Sequence, residues 1–267
     1  MIQEVRSTQA NTFAKGSFIL LLLMLFLRFP VLFAASRNLL DQNLLLVLFL
    51  CGTYLCTGLF LCINRKSLYV YNLTASSLVL FFLAPIAALS ANGTDPTAWF
   101  RFILAMVFAI FLVWKKGIQL LALPLKETIL HTCITIIASI ALAIIIWAVE
   151  GFVRKDSLMN PVTLNSIARN FCFQFSFAAI SEEPLFRGFL WGYLRKRISN
   201  EWIISILIAF IFWMGHLYYI ERGIVFWLIH PVMALFLSVT VKWSKSVSQS
   251  MLLHTSVNAI HDILPFL

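Results

Sequence analysis

Acidic side chains are scarce in this sequence: 11 of 267 residues are aspartate or glutamate, against 20 lysines and arginines. Long polar stretches are missing too. The longest is the first sixteen residues, which leaves no room for a soluble domain. The five cysteines at 51, 56, 62, 133 and 172 contain no Cys-x-x-Cys pair and all lie in apolar stretches. They are expected to be buried thiols acting as small hydrophobes rather than redox or metal ligands. There is no internal repeat and no low-complexity tract.

What is present is apolar. Hydrophobic residues make up 61% of the chain and the mean hydropathy is +0.92. Stretches long enough to cross about 30 Å of hydrocarbon recur from end to end. They are expected near 17–36, 43–63, 72–90, 98–114, 128–149, 165–194, 201–218, 223–241 and 247–264. The first is broken by Arg28 and Pro30, and Phe33-Ala34-Ala35 is a poor small-x-small cleavage site, so a retained anchor is expected. The Asn92–Pro96 run marks a turn, and Gly117–Leu125 is a short apolar segment expected to lie along the interface. Thr53, Thr57 and Ser76 are hydroxyls that a helix can satisfy from its own backbone.

The net charge of +9 is spread over span ends rather than gathered into a nucleic-acid patch. Twelve basic residues (6, 15, 65, 66, 115, 116, 126, 195–197, 242, 245) fall at alternate crossings, against five (37, 101, 154, 155, 222) in the other loops. The positive-inside rule then predicts a cytoplasmic amino terminus and Leu267 on the opposite side.

Against this background Glu182-Glu183-Pro184-Leu185-Phe186-Arg187-Gly188 stands out, because an ionisable group at membrane depth is a functional candidate by default. Residues four apart on a helix share a face, so Glu183 pairs with Arg187, whereas Glu182 points elsewhere and stays available for chemistry. Pro184 predicts a kink beside the acids. His216 lies in the seventh stretch, and His254 with Asn258 forms an i, i+4 pair in the ninth that projects into one cavity. At about 1.5 Å per residue, Glu182 lies about 20 Å into its span, His216 about 24 Å and His254 about 10–14 Å, an overlapping slab. A glutamate beside a histidine can deprotonate water, and a second histidine with a carboxamide suits a developing oxyanion. Hydrolysis of an amide or ester follows from these residue types.

Glu182-Glu183-x-x-x-Arg187, Phe212-x-x-x-His216 and His254-x-x-x-Asn258 resemble the CAAX protease and bacteriocin-processing (CPBP, or Abi) family over roughly residues 128–264. The resemblance implies an intramembrane endopeptidase in which Glu182 activates water with help from His216. It implies too that His254 and Asn258 hold the oxyanion, supported by Glu183 and Arg187. The chain departs from the family at Ala234 and Ser238, where glycines are common, and at Ser244-Lys245 and His230-Pro231. His230 is read as a packing or kink residue. His131 and His261-Asp262 fall near outer span ends, where a solvated imidazole needs no special role.

The expectation is an all-α polytopic membrane protein of about eight to nine transmembrane helices. Residues 1–127 form an N-terminal helical part and residues 128–267 a catalytic core. The reading is a glutamate-dependent protease of the bacterial inner membrane, with no cofactor, acting on a peptide or membrane-protein substrate in the bilayer and not on nucleic acid. The alternatives are a zinc protease with Glu182, His216 and His254 as ligands, a non-catalytic scaffold, and a proton-coupled transporter, which lacks the expected inverted repeat.

Overall fold

The computed structural model describes residues 15–91, 123–151 and 170–261, together with 103, 106 and 107. All regular structure among them is helical. In chain order these are α1 (Gly16–Ser36), α2 (Asn43–Ile63), α3 (Ala75–Ala91), α4 (Leu125–Gly151), α5 (170–195), α6 (Glu201–Met214), α7 (Val225–Ser244) and α8 (Val247–His261). α1, α2, α4 and α7 are long and apolar enough to cross a membrane, and α6 is apolar but shorter. The span expected at 98–114, the Asn92–Pro96 turn and most of the Gly117–Leu125 segment lie outside the described residues.

The core is apolar, and large apolar side chains cover the outer faces as well, as a lipid solvent allows. α1 exposes Ile19, Leu22, Leu23 and Phe26, and α4 exposes Ile136, Ile137, Ile140 and Ile144. Hydrocarbon solvates these faces at no cost. The polar helix is the enclosed one: α8 packs against α3, α4, α5 and α7, and buries Ser248, Gln249, Ser250, His254 and Thr255. Its small residues let neighbouring backbones approach, and its polar groups meet partners on the surrounding segments: Gln249 with Thr132, Ser248 with Ser76, and Ser250 and His254 with Glu183.

Four prolines sit inside helices without ending them: Pro85 lies in α3, and three adjoin π turns. Pro30 lies in a π turn at Leu27–Val31, Pro184 opens one at Pro184–Leu190, and Pro231 follows one at Val225–Ile229. A proline removes one backbone donor and crowds the preceding turn; widening that turn relieves the crowding. At Pro184 the widened turn follows the proline, while Ile180–Glu183 stays α-helical. Glu183 and Pro184 keep helical φ, ψ values of −64°, −44° and −59°, −36°.

α6 stops at Met214, short of the boundary expected at 218. Gly215 closes the helix, and the His216 Nδ1–H donates at 2.8 Å to the Phe212 carbonyl, capping an acceptor that the helix leaves open. A 3₁₀ segment, Leu217–Arg222, then carries the chain to Gly223, whose φ of +51° turns it into α7.

Asn72 ties the ends together. In the left-handed region at φ 55°, it donates from Nδ2 to the Arg187 carbonyl at 3.0 Å. Its own carbonyl accepts from the Val247 amide at 2.8 Å, and its Oδ1 accepts from Arg195 at 2.9 Å. One residue, through its side chain and its carbonyl, thus ties the starts of α3 and α8 to α5. The hydroxyls behave less uniformly than expected. Ser76 bonds Thr74 and, across to α8, Ser248, while the Thr57 hydroxyl has no partner among the described residues. The thiols are not all buried either: Cys133 is exposed on α4.

Candidate active site

Glu183 is wholly buried, and three donors meet its two oxygens. Oε1 accepts from Arg187 Nη1 at 3.3 Å and from His254 Nδ1 at 2.8 Å; Oε2 accepts from the Ser250 hydroxyl. Arg187 donates onward from Nη2 to the Ala234 carbonyl at 3.0 Å, and its guanidinium carbon lies 4.2 Å from the Phe212 ring centroid. Cation, anion and ring form a closed unit with little capacity for chemistry. The i, i+4 pairing expected from sequence is present.

Glu182 points away from that unit, as expected, but it is not free. Arg28 of α1 forms an ion pair with Glu182 Oε1, and the same Arg28 Nη2 lies 3.0 Å from His216 Nε2. Because His216 Nδ1 faces a carbonyl, which can only accept, the neutral ring carries its proton there and Nε2 accepts from Arg28. Both ring nitrogens of His216 are thereby engaged. The remaining Glu182 oxygen, Oε2, is buried and has no partner among the described residues.

Opposite that oxygen stands His254. Its Nδ1–H is held by Glu183, which leaves the Nε2 lone pair of the neutral ring facing Glu182 Oε2 at 3.8 Å. The imidazole within bridging distance of the open Glu182 oxygen is thus His254 rather than His216. Glu182, His216, His254 and Asn258 all line one cavity of about 530 Å³, so residues from α5, α8 and the turn after α6 converge as expected from their depths. Asn258 Nδ2 donates to Gln174 Oε1 at 3.1 Å. That leaves the second N–H of the carboxamide.

Several lining residues carry roles that sequence reasoning did not assign. His230 lines the cavity with its ring 4.7 Å from that of His216, and its Nδ1–H donates to the Val225 carbonyl at 2.8 Å. Tyr218, Tyr219 and His261 line it as well, so His261 is not merely a solvated end residue. His131 instead packs edge-on against Trp243, with ring centroids 4.7 Å apart. The signal for Arg28 was in the sequence: a charge inside an apolar run demands a partner at the same depth.

The arrangement does not fit the three-ligand zinc alternative. Arg28 Nη2 occupies the space between Glu182 and His216, where a bridging cation would have to sit. Among the described residues no three His, Cys, Asp or Glu side chains converge as a metal-binding group.

A family model described as Rce1-like, type II CAAX prenyl endopeptidase Rce1-like, matches residues 164–260. The match agrees with the resemblance carried by the three motifs. It takes in Glu182, Glu183, Arg187, His216, His254 and Asn258, and leaves α1 with Arg28 outside. No curated protein and no solved structure matches the chain.

Proposed function

We propose that this chain is an intramembrane endopeptidase that hydrolyses a peptide bond of a membrane-associated substrate with a glutamate-activated water. The observation that carries the reading is the asymmetry of the two acids. Glu183 is saturated by three donors, whereas Glu182 keeps one unpartnered oxygen 3.8 Å from a histidine nitrogen at the wall of a cavity. A water between Glu182 Oε2 and His254 Nε2 would donate one proton to each, at ordinary hydrogen-bond lengths. As its oxygen attacks the peptide carbonyl, Glu182 takes a proton and then passes it to the leaving amine. Glu183 keeps His254 in the tautomer this needs, and the Asn258 N–H not used by Gln174 would donate to the developing oxyanion.

The Arg28–Glu182 pair also suits a second reading, a scaffold of the same fold in which both acids are structural. Cleavage separates the two. Wild type and Glu182→Gln are purified in detergent and incubated with a library of membrane peptides, and the cuts are sequenced. The expected result is cleavage by wild type and a loss of about 10²–10⁴ in rate for the variant, the usual worth of a general base. Cleavage should survive a chelator. Equal rates in the two proteins would sink the role of Glu182, and chelator-sensitive activity restored by zinc would overturn the metal-free mechanism.

A further inference from the structure

We propose that Arg28, on the first helix and outside the family-matched residues, is a positioning residue of the water-activating apparatus. The inference rests on the endopeptidase reading above and adds a part to it. Arg28 is 3% exposed and lines the same cavity as Glu182, His216 and His254. Its Nη2 has two N–H groups, and both are used: one on Glu182 Oε1, the other on His216 Nε2. His216 is held in turn by the Phe212 carbonyl at 2.8 Å. The chain of contacts runs from the end of α6 through an imidazole and a guanidinium to the carboxylate.

Its effect on Glu182 is geometric. A carboxylate has two equivalent oxygens and can swing about its last torsion. With Oε1 drawn to a guanidinium that is itself braced, Oε2 is the oxygen left without a hydrogen bond, and it stands opposite His254. His216, through Nε2, braces Arg28 in turn. A lysine has N–H groups enough for both partners, but they rotate on a flexible stem, whereas the two N–H groups of Nη2 are fixed in the guanidinium plane. The π turn at Leu27–Val31, with Pro30 in it, sets the depth from which Arg28 reaches the site. The matched segment is in this sense incomplete: its general base is oriented by a residue more than a hundred positions upstream of residue 164.

The test compares wild type, Arg28→Lys, Arg28→Ala and Glu182→Gln in detergent. The probe is the internally quenched membrane peptide that wild type cuts fastest, and thermal unfolding is recorded for each protein. Arg28→Lys is expected to fold, keep its KM and lose about 10²-fold in kcat, the scale of a misplaced catalytic group. Arg28→Ala is expected to regain kcat when guanidinium is added at a non-denaturing concentration, while Glu182→Gln does not. Wild-type kcat in Arg28→Lys, with a loss in Arg28→Ala that guanidinium leaves untouched, would mark the pair as structural and overturn the proposal. If Arg28→Ala does not fold, the lysine variant decides alone: reduced kcat at wild-type stability supports positioning, and unchanged kcat overturns it. Wild-type cleavage by Glu182→Gln would instead overturn the endopeptidase reading, whatever the Arg28 variants do.

Discussion

Two neighbouring glutamates have different chemical fates because of what each can accept. Glu183 takes hydrogen bonds from Arg187, His254 and Ser250 through both oxygens. A glutamine there carries no charge, so the buried Arg187 guanidinium loses its counter-ion. Glu183→Gln is therefore expected to cost about 3–5 kcal/mol, as breaking a buried pair does, and to lower the yield of folded protein. Glu182→Gln still offers Arg28 an oxygen, but it also removes the counter-charge of that buried cation; because Arg28 lines the cavity, the loss is expected to be smaller than for Glu183→Gln. Thermal unfolding in detergent compares them, and equal losses in the two would contradict the assignment. The Glu183–Arg187 contact was legible because four residues on a helix make one turn. The Arg28–Glu182 contact was not, because a pairing between distant segments leaves no local pattern.

At the scale of elements, apolar run length located the helices but not their irregularities. A π turn needs only one extra residue per turn, and no residue type demands it, so the widened turns around Pro30, Pro184 and Pro231 were invisible before the fold was known. The end of α6 was hidden for a similar reason: Leu217 and Tyr218 read as more apolar helix, while the stop comes from a histidine turning back to cap Phe212. One packing contact makes an element-scale prediction. A Cβ on Gly192 would lie 2.1 Å from Tyr71 Cδ1, and that ring is 2% exposed and held edge-on by Phe60 at 4.9 Å. The ring cannot swing aside, so Gly192→Ala is expected to cost about 1–3 kcal/mol by overpacking. At Gly188 the nearest atom to a Cβ is the Tyr71 carbonyl oxygen at 3.5 Å, an ordinary contact. Gly188→Ala should stay within about 0.5 kcal/mol of wild type. Equal unfolding shifts in the two alanine variants would refute the packing argument.

At the scale of the whole molecule, charge sorts itself between two ends. Arg195 donates to the Val70 carbonyl at 3.0 Å and pairs with Glu201 at 3.2 Å, and Lys245 pairs with the same Glu201. His131 packs on Trp243 at that end too, which places the start of α4 beside the end of α7. At the other end the turn after α1 meets the 3₁₀ segment after α6, where Arg37 and Glu221 pair at 3.5 Å. The basic end is the one that the positive-inside rule assigns to the cytoplasm. The cavity that holds Glu182 is lined at its far side by Arg222 and His261, away from Lys245. With the basic end inside, water and substrate would reach Glu182 from the non-cytoplasmic face. Single reporter cysteines test this in a chain whose five native cysteines are replaced. A cysteine at Lys196 should react with an impermeant thiol reagent only after the membrane is opened, whereas one at Glu221, which is 80% exposed, should react on intact cells. The reverse pattern would turn the molecule over and place the cavity on the cytoplasmic side.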